Sequence, residues 1–198
     1  MAKRESSFVN MVVTLLVITS VASFLLATVY NFTKEPIALA REAMRMEAIA
    51  QVVPAFDRLE SKRFRSYDSG DSLQFNFAYS GEELVGVAVE TYTTSGWSGL
   101  ITAMVGFLPD GRIVDVVHLH HRETPGLGDK IEKAKSDWSN QFRGIDPQTT
   151  DLRVTKDGGD IDAITAATIT ARAYSEAIQR AFNTFEENFL NGQEGLTQ

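Results

Sequence analysis

Two threonines lie among small residues at the predicted start of a helix. Thr165 and Thr168 offer hydroxyl groups there, and the short side chains of Ala166 and Ala167 leave the backbone accessible. Phosphate would bind well at such a place, because the free N–H groups and the dipole at a helix N-terminus attract anions. The alternative is an ordinary helix cap made by Thr165 or Asp162, since both residue types are frequent N-caps. The segment is therefore a candidate phosphate site.

A second segment, residues 121–128, combines polar side chains with a rigid turn. Pro125 and the two glycines that follow it favour a turn whose backbone is exposed and can press against a flat ring. Glu123 and Thr124 offer polar contacts beside that turn. The alternative is a plain strand-to-helix turn that ends near Gly128.

Three histidines, His118, His120 and His121, raise the question of a metal site. His118 and His120 would project from the same side of a strand. No further set of ligands is evident around them, so we predict ordinary hydrogen-bonding roles and no metal site. The acidic residues Asp157 and Asp160 lack the spacing of a calcium loop and indicate a solvated turn.

Hydrophobic periodicity predicts the elements that position these segments. Alternation of apolar and polar residues predicts four strands, at 73–79, 84–92, 100–108 and 112–120. Helical spacing predicts helices at 36–52, 130–142 and 168–190, with the apolar stripe of the last one, from Ile169 to Phe189, assigned to the core. The charged stretch 57–71 is predicted to be a loop. The sum is an α+β fold, with an antiparallel sheet flanked by helices.

A charge-free apolar run extends from Phe8 to Tyr30. It exceeds the roughly 20 residues that a helix needs to cross a bilayer. Lys3 and Arg4 precede the run and favour a cytoplasmic N-terminus. A cleaved signal peptide is the alternative, but its apolar centre is usually shorter. We therefore predict a cytoplasmic N-terminus at 1–7, a single transmembrane anchor at 8–30, a linking helix at 31–56, one domain at 57–191 and a tail at 192–198.

The composition excludes several classes of protein. The chain of 198 residues has no cysteine, so it holds no disulfide, thiolate metal site or iron–sulfur cluster. Three of the 19 basic and two of the 26 acidic residues lie in the first 35, so the remainder carries a formal charge of −8. That charge argues against nucleic acid as a partner.

The threonine segment resembles the flavinylation motif of the FMN-binding domain family, Asp-x-x-Ser/Thr-Gly-Ala-Thr. Asp162, Thr165, Ala167 and Thr168 match the motif, and Ala166 stands where it has glycine. The resemblance implies that Thr168 carries covalent FMN through a phosphoester, which a flavin transferase makes from FAD with magnesium. If the glycine position needs a positive backbone angle, alanine would strain it.

Residues 121–128 resemble the signature His-x-Glu-Thr-Pro-Gly-Leu-Gly, which is shared by the G subunit of Rnf complexes and the C subunit of sodium-translocating quinone reductases. The sequence Gly-Trp-Ser-Gly at 96–99 resembles a further element of these families. The resemblance covers roughly residues 84–185. It implies an electron-transfer subunit, without catalysis of its own, that works with other membrane subunits of an Rnf-type ferredoxin:NAD oxidoreductase. It also implies the bacterial inner membrane, and the cytoplasmic N-terminus predicted from Lys3 and Arg4 then puts the main domain on the periplasmic side. The alternatives are the quinone-reductase protein and a cofactor-free, membrane-anchored scaffold.

The residues predicted to contact FMN come from the two motifs and their surroundings. They are Thr168 as the covalent site, Asp162, Thr165, Ala166, Ala167, Thr170, Glu123, Thr124, Gly126, Leu127, Gly128 and Lys156. Lys156 is included because a cation close to the flavin can stabilise a reduced, anionic ring. No catalytic residue and no metal ligand is predicted.

Overall fold

A computed structural model describes residues 7–68 and 70–191 of the chain. Contacts divide the chain into two units, one that ends at Met44 and one that begins at Arg45. The helices are α1 (Phe8–Val52) and α2 (Thr168–Phe185), and α2 continues into a π-helical turn (Glu186–Leu190). The strands are β1 (Arg58–Arg65), β2 (Ser72–Ser80), β3 (Glu83–Gly96), β4 (Gly99–Phe107) and β5 (Ile113–His120). Short 3₁₀ turns are formed by Gly128–Ile131, Trp138–Phe142 and Thr155–Asp157.

Helix α1 contains the apolar run. Among the described residues it is the one helix long and apolar enough to cross a membrane, and none of its most apolar window is buried. The sequence pattern placed Pro36 in the first turn of a separate helix, but Pro36 lies inside one continuous helix. Proline cannot donate a hydrogen bond to the carbonyl of Phe32, yet the helix continues on both sides.

The five strands form one antiparallel sheet in the order β1-β2-β3-β4-β5. The four predicted strands are confirmed, whereas the predicted loop at 57–71 is wrong because β1 pairs with β2 there. Charged side chains such as Arg63 and Arg65 gave this segment the composition of a loop. Charge is common on an edge strand, where one side of the ladder faces water. Phe64 still packs against the core.

Helices cover both faces of the sheet within the second unit. On one face α2 packs against β3 and β4, where the rings of Phe107 and Phe185 stack at 4.9 Å. Thr91 also donates a hydrogen bond of 2.8 Å to the carbonyl of Ala177. On the other face the last turn of α1 meets β4 so closely that a Cβ on Gly106 would lie 1.7 Å from the carbonyl oxygen of Val52. The predicted α+β fold is confirmed.

The predicted helix at 130–142 is wrong. Two 3₁₀ turns, Gly128–Ile131 and Trp138–Phe142, replace it. Ile131 and Phe142 are buried, so tertiary packing satisfies the apolar positions without a regular helix. The predicted helix at 168–190 is confirmed, with its final turn in the wider π geometry.

Candidate functional site

A cavity of about 430 Å³ lies where the turn after β5 meets the start of α2. Its size is within the range of small-molecule and cofactor sites. Its walls come from four places in the chain: Trp97 in the β3–β4 turn; Glu123, Thr124, Leu127 and Gly128; Lys156; and residues 166–170. The fold therefore brings together the two segments that the sequence singled out.

Nine of the predicted contact residues line this cavity, and three do not. The nine are Ala166, Ala167, Thr168, Thr170, Glu123, Thr124, Leu127, Gly128 and Lys156. Asp162, Thr165 and Gly126 are outside the lining. The backbone of Asp162 is used in packing: its carbonyl accepts a 2.6 Å hydrogen bond from the indole of Trp138, and its N–H donates to Gln141 at 2.8 Å.

The backbone before α2 is shaped by a tight turn. Ala167 donates its N–H to the carbonyl of Ile164 at 3.0 Å, which closes the turn. Ala166, the third residue of the turn, has a φ of 65° and is the only non-glycine residue with positive φ in the described chain. This is the position at which a type II turn favours glycine. The positive angle considered from the sequence is therefore present.

Helix α2 begins without a side-chain cap. Its N-cap residue is Ala167, which makes no capping hydrogen bond, so neither Thr165 nor Asp162 is the cap. The hydroxyl of Thr168 lies at this end, where Lys156 Nζ donates a hydrogen bond of 2.9 Å to its Oγ1. A nucleophilic oxygen, a cation and free helical N–H groups thus share one end of the cavity, which suits a phosphate.

Glu123 joins three walls of the cavity. Its carboxylate is buried and accepts hydrogen bonds from the Ser98 N–H at 2.9 Å and from the Thr170 hydroxyl at 2.6 Å. Two glycines make room for it, because a Cβ on Gly96 or Gly128 would lie 2.9 or 2.7 Å from its oxygens. Glu123 therefore holds the β3–β4 turn, its own loop and α2 together.

His118, His121 and Glu132 have ligand atoms within 4.8 Å of one another, and His121 contacts the backbone of the cavity residue Glu123. The structure thus groups His118 with His121, not with His120 as the strand pattern suggested. His121 Nδ1 accepts the N–H of Glu123 at 3.1 Å, so Nε2 carries the proton that is shared with Glu132 at 3.0 Å. That tautomer leaves no lone pair on Nε2 for a metal. Burial, aided by the neighbouring His121, lowers the pKa of His118, although Glu132 opposes the shift.

Two lining residues, Trp97 and Ile169, were not among the predicted contacts. Trp97 is 67% exposed and Ile169 is 42% exposed. The Gly-Trp-Ser-Gly element carried the signal for Trp97, whereas helical periodicity assigned Ile169 wrongly to the core. Together with Leu127 they provide apolar surface for a flat ring, while Lys156 and the start of α2 suit a phosphate. The residues present therefore fit FMN.

Comparisons with known proteins agree with this fit. The FMN-binding domain family model matches residues 96–183. The chain is 36% identical over 183 residues to the G subunit of the ion-translocating oxidoreductase complex of Shewanella loihica, covering 84% of this chain and 85% of the relative. It is 33% identical to the corresponding protein of Vibrio atlanticus over 83% of each chain. The alignment with that of Shewanella oneidensis, 41% identical, covers 60% of this chain and 57% of the relative. The chain belongs to the G-subunit family of ion-translocating oxidoreductase complexes.

Proposed function

We propose that this protein is a membrane-anchored electron-transfer subunit that carries FMN covalently on Thr168. It would serve an Rnf-type ion-translocating ferredoxin:NAD oxidoreductase, as the names of its relatives suggest. One observation carries the proposal. The hydroxyl of Thr168 lies in a cofactor-sized cavity, at an uncapped helix start and 2.9 Å from a lysine ammonium. When bound, FMN supplies a group that accepts and releases electrons.

The charge of the protein is a reason for a covalent link. The residues after the anchor carry a net charge of −8, which repels a free anionic cofactor over most of the surface. Lys156 and the N-terminus of α2 offset this repulsion at one end of the cavity. An ester to Thr168 removes one negative charge from the phosphate and prevents dissociation.

The cavity walls fit the role of holding a carrier that exchanges electrons with another protein. Glu123 connects the walls through hydrogen bonds from Ser98 and Thr170, and these bonds need no bound cofactor. Trp97 and Leu127 line the cavity and are exposed at 67% and 40%. Because these side chains line the cavity and also reach the surface, a partner that docks on them would lie a short electron-transfer distance from the cofactor.

The apolar part of α1 would anchor this domain in the bacterial inner membrane. Lys3 and Arg4 favour a cytoplasmic N-terminus, which puts the domain on the periplasmic side. The other membrane subunits of the complex are then the electron-transfer partners. A flavin transferase, working from FAD with magnesium, would attach the cofactor during maturation.

The intact mass of the full chain tests the covalent link. The protein is co-expressed with a flavin transferase and purified in detergent, and fragmentation then locates any added group. We expect the mass of one FMN less one water on Thr168. Thr168→Ser keeps the hydroxyl and should be modified, whereas Thr168→Val keeps the size but should stay unmodified. An unmodified wild-type chain, or an adduct that persists in Thr168→Val, contradicts the proposal.

A further inference from the structure

The 3₁₀ turn Thr155–Asp157 is attached to α2 by two adjacent contacts. Lys156 Nζ donates to Thr168 Oγ1 at 2.9 Å. The next residue, Asp157, accepts two hydrogen bonds from the Arg172 guanidinium, at 2.5 and 2.7 Å. Thr168 and Arg172 are four residues apart and therefore lie on one face of the helix. The turn thus runs along the first part of α2 and places the lysine over the threonine.

The backbone also fixes the position of this turn. Gly158 ends it with a φ of 87°, in the left-handed region that favours glycine. A Cβ on Gly159 would lie 2.1 Å from the carbonyl oxygen of Arg153, so the chain returns in close contact with itself. Val154 and Ile161 then pair across the base of the loop. Lys156 is therefore presented by a braced turn.

Lys156 differs from its basic neighbours in what it contacts. Arg153 pairs with Asp151, and Arg172 pairs with Asp157. Across residues 7–68 and 70–191 no carboxylate forms a salt bridge with Lys156, whose hydrogen bond goes to the neutral hydroxyl of Thr168. In a domain with an excess of acidic residues, a cation without an acidic partner is available for an anionic ligand.

We propose that Lys156, positioned by the Asp157–Arg172 ion pair, binds the flavin phosphate at Thr168. It would attract that phosphate to Oγ1 during attachment and remain the counter-ion of the phosphodiester afterwards. This inference rests on the proposed covalent link to Thr168. It assigns the lysine to the phosphate end of the cofactor, because its contact is with the oxygen that becomes the ester oxygen. Asp157 and Arg172 are then positioning residues.

The transfer step conserves atoms and electrons in this arrangement. Thr168 Oγ1 forms a bond to the flavin-side phosphorus of FAD, the P–O–P bond breaks, and AMP leaves with the electron pair. The hydroxyl proton passes to a base of the flavin transferase. Lys156 donates a hydrogen bond and offsets charge, and it does not take the proton. The product keeps one negative charge, so the cation remains paired.

The test is a time course of FMN attachment, followed by the intact mass of the full chain with purified flavin transferase and FAD. Lys156→Met removes the charge at similar length, and we expect attachment to slow by about 10- to 100-fold, the range of one hydrogen bond to a charged group. Lys156→Arg should recover most of the rate. Arg172→Met, which frees the turn, should be intermediate. Arg112→Met is the matched control, because it breaks the exposed ion pair between Arg112 and Asp110 in the β4–β5 turn, and it should match the wild type.

Two further readouts separate this role from a structural one. Thermal unfolding of each unmodified variant shows whether a slow rate reflects loss of folded protein. The rate of attachment is also measured at increasing salt concentration. Salt should slow attachment in the wild type and in Lys156→Arg, and it should have less effect on Lys156→Met. A salt-independent rate in the wild type would overturn the inference even if Lys156→Met does not fold.

The two proposals fail in different ways. A wild-type chain that never gains the adduct contradicts the covalent link itself. If the wild type and Lys156→Met are modified at the same rate, the covalent link stands, but the role of Lys156 in attachment is contradicted.

Discussion

Ala166 has a backbone angle that favours glycine, and Ala166→Gly should stabilise the protein. Its φ of 65° costs an L-residue with a Cβ about 1–2 kcal/mol. Glycine removes that cost but gains about 0.4–1 kcal/mol of freedom in the unfolded chain. The methyl group of Ala166 is exposed, so little packing is lost with it. We expect a net gain of about 0.5–1 kcal/mol in the free energy of unfolding.

Urea unfolding of the full-length, unmodified chain in detergent measures this gain, and thermal unfolding should show a rise of about 1–3 °C. The matched control is Ala171→Gly, the same chemical change inside the first turns of α2. Ala171 is fully buried in a helix, so its replacement should cost about 1 kcal/mol or more. The two alanine-to-glycine changes should therefore have opposite signs.

A loss of stability in Ala166→Gly comparable to that in Ala171→Gly would refute the reasoning, because it would mean that the turn does not strain alanine.

The Ala166→Gly variant also tests the attachment of FMN. Glycine also restores the residue found in the flavinylation motif, so the rate of FMN attachment should not fall. A clear fall would show that the alanine methyl is part of what the transferase recognises.

Two other predictions concern the framework around the cavity. Gly128→Ala brings a methyl group to 2.7 Å from Glu123 Oε2 and should cost about 1–3 kcal/mol in urea unfolding. Gly70→Ala, where nothing lies within 4 Å, should change stability by less than about 0.5 kcal/mol, and equal losses would contradict the packing argument. Burial of Asp115 acts to raise the pKa of its carboxyl, but hydrogen bonds, led by that from Arg143, outweigh burial and lower the pKa. The stabilisation from ionised Asp115 is complete above the unfolded-state pKa of ~4, and it disappears as the pH falls through the lower folded-state pKa. Wild type should therefore exceed Asp115→Asn in stability at neutral pH, with a gap that narrows below about pH 4 in an acid titration of unfolding.

The parts of the fold that the sequence predicted are those whose signal is local. In strand β2, Leu73, Phe75 and Phe77 alternate toward one hydrophobic core, and this two-residue period indicates a strand. Strand β1 was missed because its edge position allows charged side chains where a central strand would carry apolar ones. The helix at 130–142 was wrongly predicted because buried Ile131 and Phe142 give a helical spacing that short 3₁₀ turns also satisfy.

The site was predictable where its residues form motifs, and not where they meet from distant parts of the chain. The close packing around Gly128 is carried by the glycine itself, whereas the positive φ at Ala166 was suggested by the glycine of the motif and not by alanine. The contact between Lys156 and Thr168 depends on the return of the chain after Asp157, which no local pattern specifies. Trp97 lines the cavity from the β3–β4 turn, which is held to the distant Glu123 carboxylate by the N–H of Ser98.

Glu123 and Lys156 have opposite charges, and only one of them is available to a ligand. Both carboxylate oxygens of Glu123 already accept hydrogen bonds from protein groups, and such a buried carboxylate is stable because those donors compensate for lost hydration. Lys156 has a neutral hydroxyl as its hydrogen-bond partner, so its charge is still uncompensated at the cavity. The cavity therefore favours an anion at its threonine end although the domain as a whole is acidic. Under the proposed function, we expect this asymmetry to orient FMN with its phosphate at Thr168 and its flat ring against Trp97, Leu127 and Ile169.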